Sequence, residues 1–146
     1  MDERGQTCDR CGATETAVEE AVQKLRRSLE ALGVGVVLEK TTLSPGAFRE
    51  DPLESNRIWV AGEPIESWLS ATSGQSKCCS TCGHSDCRTV MVDGQTYEAI
   101  PAELIIKAGL HAAARLIQGE SEGECCQPAD SQGKAGCCPA PMEPRK

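Results

Sequence analysis

Aromatic side chains are scarce in this 146-residue chain: Phe48, Trp59, Trp68 and Tyr97 are all it contains. That scarcity argues against base-stacking platforms for single-stranded nucleic acid. Cations are few, with 15 Lys and Arg against 22 Asp and Glu and a formal net charge of −7. Binding a phosphate backbone needs clustered cations, so no nucleic-acid partner is expected. No run approaches the roughly 20 apolar residues of a membrane helix, and no membrane insertion is expected. The first residues, MDERGQTC, lack the apolar stretch of a signal peptide. The expected location is therefore cytoplasmic, where thiols stay reduced. No Ser-His-Asp set, phosphate loop or paired-carboxylate motif stands out, so enzymatic activity is left open.

Cysteine, by contrast, is abundant, with ten in the chain. Six form adjacent pairs: Cys78-Cys79, Cys125-Cys126 and Cys137-Cys138. A trans peptide sets neighbouring Cα atoms about 3.8 Å apart, below the usual disulfide range of about 4.4–6.8 Å. Adjacent cysteines therefore make poor structural disulfides and are better suited to offering two thiolates to one soft ion. In a reducing compartment such a pattern points to metal binding or catalysis before a disulfide scaffold.

The order of elements reads as α+β. Val18, Ala21, Val22, Leu25, Leu29 and Leu32 recur at helical spacing, predicting a helix from Thr16 to Leu32 with a Thr16-x-x-Glu19 capping box and a stop at Gly33. Residues 34–39 read as a buried strand, Ser44-Pro45-Gly46 as a turn, and the segment from there to Asp51 as a short helix. Arg57 to Ala61 reads as a second strand. Ile65 to Leu69 is ambiguous. The stretch SGQSKCCSTCGHSDC reads as a cysteine-rich loop. Residues 89–92 and 95–100 flank Asp93-Gly94, a favoured hairpin turn. Pro101 suits the start of a last helix from Ala102 to about Gln118, so apolar that deep burial or a partner is expected. Within it, Gly109 permits close backbone approach at about 1 kcal/mol of helix propensity. From Gly119 the chain turns rich in Pro, Gly and Glu, predicting a domain over residues 1–118 and a disordered tail over 119–146.

The segments CDRCG, LRRSLEALGVGVVLEK, SNRIWVAGEPIESWL, CCSTCG, CRTVMVDGQTYEAIP and LIIKAGLHAA together resemble an uncharacterised bacterial and archaeal family of small cysteine-rich thioredoxin-like proteins. The resemblance runs from Cys8 to about Ile117 and implies a thioredoxin-like fold; chemistry must be argued from the site. Two features depart from that pattern. A strand should precede the C-x-x-C, yet only seven residues precede Cys8, so the first strand reads as missing or very short. The Thr16 cap and Gly12 also place the helix start after the cysteines, beyond reach of dipole support for a Cys8 thiolate.

Cys8-x-x-Cys11-Gly12 and Cys79-x-x-Cys82-Gly83 are two copies of a zinc-knuckle spacing, and together they offer the four thiolates of a tetrahedral zinc site. A local alternative uses Cys78, Cys79, Cys82 and Cys87, with His84 as a substitute, for zinc or an iron–sulfur cluster. His111, on the last helix, reads as a packed or exposed helix residue. The vicinal pairs Cys125-Cys126 and Cys137-Cys138 resemble those of arsenic metallochaperones, which implies capture of arsenite, mercury or a similar ion and transfer to the core or to a protein partner. The leading expectation is thiol-based binding of soft metal or metalloid ions for sequestration, delivery or detoxification. The alternatives are a thiol-disulfide oxidoreductase using Cys8 and Cys11, with Arg10 favouring the thiolate and Asp9 opposing it, and an iron–sulfur electron carrier.

Overall fold

A computed structural model describes residues 8–78 and 85–121. Helix α1 (Asp9–Leu29) passes through a 3-10 turn (Glu30–Leu32) into Gly33, which takes a left-handed φ of 70° and stops it. The expected stop is thus in place, but the helix begins seven residues before its expected start. Cys8, extended, is the N-cap. Thr16 lies inside the helix and turns its hydroxyl back onto the Gly12 carbonyl at 3.0 Å. Two tertiary anchors hold the added turns. Thr14 Oγ1 donates to the Arg10 carbonyl at 3.1 Å and accepts from the Ile100 amide at 3.2 Å. Arg10 reaches the strand ends described below.

Residues 34–39 are not a strand. They run extended along α1, alternating half-buried and exposed, with Val37 81% exposed. Val34 and Val36 pack onto Leu25, Leu29 and Ala113. The Val36 carbonyl accepts from Arg26 Nε at 2.9 Å, so a side chain satisfies what a neighbouring strand would. Lys40 ends this strap on Glu15 (2.8 Å) and Glu19, whose carboxylates hold its ammonium above the usual lysine range.

Helix α2 (Pro45–Glu50) is capped by Ser44 Oγ, which accepts from the Ala47 amide at 3.1 Å. Strands β1 (Trp59–Val60) and β2 (Glu63–Pro64) form a small antiparallel hairpin. Its turn, Ala61-Gly62, has φ of 48° and 80°. Helix α3 (Ile65–Leu69) follows. Part of the expected cysteine loop is a strand: β3 (Thr72–Lys77) pairs antiparallel with β4 (Asp86–Val92), which pairs with β5 (Gln95–Tyr97). Asp93 and Gly94, at φ 51° and 81°, make the expected two-residue turn. All strand pairs among the described residues are antiparallel.

Helix α4 (Ala102–Ser121) extends past the expected end at Gln118. Its buried stripe, Ala102, Ile105 and Ala108, joins Ala21 of α1, Ile65 and Leu69 of α3, and Val90 and Val92 of β4 in one core. Leu110, Leu116 and Ile117 stay exposed, so the helix is less buried than its composition suggests. Gly109 fulfils its expected role: a Cβ there would stand 2.5 Å from Leu25 Cδ1, so the α1–α4 contact uses the missing side chain. No helix among the described residues is long and apolar enough to cross a membrane.

Candidate thiol site

The fold gathers cysteines at the N-terminal end of α1. Cys8 is 2% exposed, and its Sγ lies 3.9 Å from Cys78 Sγ, across 70 positions of sequence. Cys78 follows β3, and its amide donates to the Ser85 carbonyl at 3.0 Å, so the β3–β4 pairing continues past the strand end. Cys87, 1% exposed, sits opposite Ser76 on β4. Cys11 occupies the first turn of α1, half-buried. Among the described residues, no three His, Cys, Asp or Glu side chains converge as a metal group. Cys8 and Cys78 are a pair that the described fold itself brings together.

Arg10, between the two cysteines of the first C-x-x-C, holds this arrangement. Its side chain is only 11% exposed. It donates to Ser76 Oγ at 3.1 Å, the Lys77 carbonyl at 3.2 Å, the Arg88 carbonyl at 3.2 Å and the Glu98 carbonyl at 3.4 Å. The Glu98 carboxylate adds an ion pair at 3.8 Å and itself accepts from Ser76 Oγ at 2.9 Å. Lys77 immediately precedes Cys78, and Arg88 immediately follows Cys87. One planar guanidinium thus ties the segment bearing Cys8 and Cys11 to the two segments bearing Cys78 and Cys87. Sequence reasoning gave Arg10 a different role, as a charge beside a thiolate. No local signal marks an arginine that will bond backbone carbonyls far along the chain.

A second ionic cluster joins β3 and β4 to α3. Arg88 Nη2 meets Glu66 Oε1 at 2.6 Å and Ser73 Oγ at 2.5 Å, with both charged side chains about nine-tenths buried. Glu66 Oε2 is buried and makes no hydrogen bond. Arg57 lies over the Trp59 ring, 4.8 Å from its centroid. His111 is an exposed helix residue, one of the two expected outcomes, with Nδ1 3.2 Å from the Trp68 carbonyl.

The position of Cys8 at the N-cap of a 21-residue helix overturns the expectation that the dipole fades before reaching it. The positive end of a helix favours an anionic sulfur at that place. Cys79, Cys82 and His84, and the tail cysteines Cys125, Cys126, Cys137 and Cys138, lie outside the described residues, as does the expected disordered tail beyond residue 121.

A family model described as a domain of unknown function, DUF2703, matches residues 1–109. The chain belongs to this family. An uncharacterised protein of Archaeoglobus fulgidus is 41% identical over 101 residues, which cover 69% of this chain and 74% of that relative. No solved structure matches. The DUF2703 match takes in Cys8, Cys11, Cys78, Cys79, Cys82 and Cys87 and ends inside α4, so the four tail cysteines fall beyond it.

Proposed function

We propose that this DUF2703 domain binds a soft metal or metalloid ion through thiolates at the N-terminal end of α1. Cys8 and Cys78 are the central pair. Cys79 and Cys82, which follow Cys78 in the sequence, supply the further thiolates in this reading. The observation that carries the reading is the 3.9 Å separation of the Cys8 and Cys78 sulfurs. Zinc–sulfur bonds of about 2.3 Å at the tetrahedral angle place neighbouring sulfurs about 3.8 Å apart. The pair therefore already stands at the spacing of two ligands on one ion, and far outside the bonded distance of about 2.05 Å. The helix N-terminus favours the thiolate form of Cys8, and burial of that charge favours a soft cation that neutralises it.

In this reading the frame is a thioredoxin-like domain in the cytoplasm, a C-x-x-C opening a long helix beside an antiparallel hairpin. The cargo is zinc, arsenite, mercury or a similar ion. The vicinal pairs Cys125-Cys126 and Cys137-Cys138 capture it and pass it to the core or a protein partner, serving sequestration, delivery or detoxification. Elemental analysis of anaerobically purified protein tests the reading. A stoichiometric thiophilic element that is lost in Cys8→Ser and Cys78→Ser supports it, and a metal content equal in wild type and both variants rejects it. A brown, iron-containing protein would assign the same thiolates to an iron–sulfur cluster.

Thiol-disulfide exchange through Cys8 and Cys11 is the second reading, favoured by the position of Cys8 at the head of α1. Reduction of insulin by the metal-free protein tests it, with Cys11→Ser as the inactive control.

A further inference from the structure

The structure sets the Cys78 sulfur beside that of Cys8. Three observations make this more than a chance proximity. The 3.9 Å approach joins residues 70 positions apart, so it is a product of the fold and not of local sequence. Both sides are anchored by Arg10, whose N–H groups bond the Lys77 carbonyl beside Cys78 from a position two residues after Cys8. Exposure divides the pair: Cys8 is 2% exposed, while Cys78 is half-buried and more open to solvent.

We propose that Cys8 and Cys78 form a reversible dithiol–disulfide couple, with Cys78 as the sulfur that meets the oxidant and Cys8 as the sulfur that resolves it. The co-reactant is a small disulfide of the glutathione class. The Cys78 thiolate attacks one sulfur of that disulfide, forming a mixed disulfide and releasing one small thiolate. The Cys8 thiolate then attacks the Cys78 sulfur, forming the Cys8–Cys78 bond and releasing the second small thiolate. Two protein thiols are oxidised, one small disulfide is reduced to two thiols, and the two protons leave with the thiolates. The sulfurs need close by only about 2 Å to reach bonding distance. This couple does not depend on the ion-binding reading, because it is a property of the metal-free protein.

The test is anaerobic titration of the metal-free, fully reduced full-length protein with glutathione disulfide, followed by non-reducing peptide mapping of the partner of Cys8. The expected result is a Cys8–Cys78 cross-link as the first disulfide that involves Cys8. Cys78→Ser should slow loss of the Cys8 thiol at least tenfold, while Cys11→Ser leaves it within about twofold. Mapping of the wild type is decisive even if a variant fails to fold. A first cross-link from Cys8 to Cys11, Cys79 or Cys82 overturns the proposal. So does a Cys8 thiol that survives while every other cysteine is oxidised.

Discussion

Arg10→Met removes the guanidinium that joins the three cysteine-bearing segments and keeps the apolar stem. Its cost can be worked from the four bonds lost. The Lys77 and Glu98 carbonyls lie at the exposed edge, and water can replace their donors cheaply. Ser76 Oγ and the Arg88 carbonyl are partly buried, and each loses a charge-assisted bond. Hydrogen bonds to charged groups contribute about 1.5–3 kcal/mol each, so the two partly buried ones set a loss of about 3 kcal/mol. For a domain of this size that lowers Tm on the order of 10 °C. Arg10→Lys should recover less than half, since an ammonium on a flexible stem cannot reproduce the fork. Denaturant melts of metal-free, reduced protein measure the effect, with Arg26→Met as comparison. Arg26 makes one exposed bond, to the Val36 carbonyl, and its loss should cost less than about 1 kcal/mol. If Arg10→Met and Arg26→Met melt together, Arg10 is not the clasp inferred here.

Gly109→Val should destabilise the protein by about 2–3 kcal/mol despite the better helix former, because its Cβ would press on buried Leu25 and force the α1–α4 contact apart; a chemical melt at or above wild type would show that the helices can separate freely. Glu66→Ala leaves the Arg88 guanidinium buried without its carboxylate and should cost about 3–5 kcal/mol in the same assay, whereas exposed Glu54→Ala, which faces Arg57 at the surface, should cost less than about 1 kcal/mol. A similar loss in the two carboxylate variants would refute the burial argument. Serine at Cys125, Cys126, Cys137 and Cys138 should weaken arsenite or mercury capture without changing the melting curve; equal affinities by titration calorimetry would remove the tail from the proposed path.

Local chemistry was readable wherever a short-range signal decides the outcome. The Asp93-Gly94 turn, the Gly33 stop and the role of Gly109 all follow from one to four neighbouring residues, whereas Ser44-Pro45-Gly46, which reads as a turn, caps and opens a helix. Tertiary contacts changed the remainder. Thr16-x-x-Glu19 reads as a helix start, yet Arg10 and Thr14 find partners near Lys77, Arg88 and Ile100 that extend the helix back to Asp9. Val34 to Glu39 has strand composition but lies along a helix, where Arg26 satisfies a backbone carbonyl. Gln75 and Ser76 carry little strand propensity, and β3 forms because β4 offers it a ladder. For the site, cysteine spacing marked Cys8 and Cys78 as separate candidates. Only the three-dimensional path of the chain puts their sulfurs together.

The central assignment is most directly tested by anaerobic arsenite and zinc titration of protein whose four tail cysteines are already serine. Cys8→Ser with Cys78→Ser is compared against that background. The expected result is a one-to-one complex whose affinity falls at least a hundredfold when the pair is removed. Unchanged affinity and stoichiometry would contradict the assignment of Cys8 and Cys78 as the centre of the ion site.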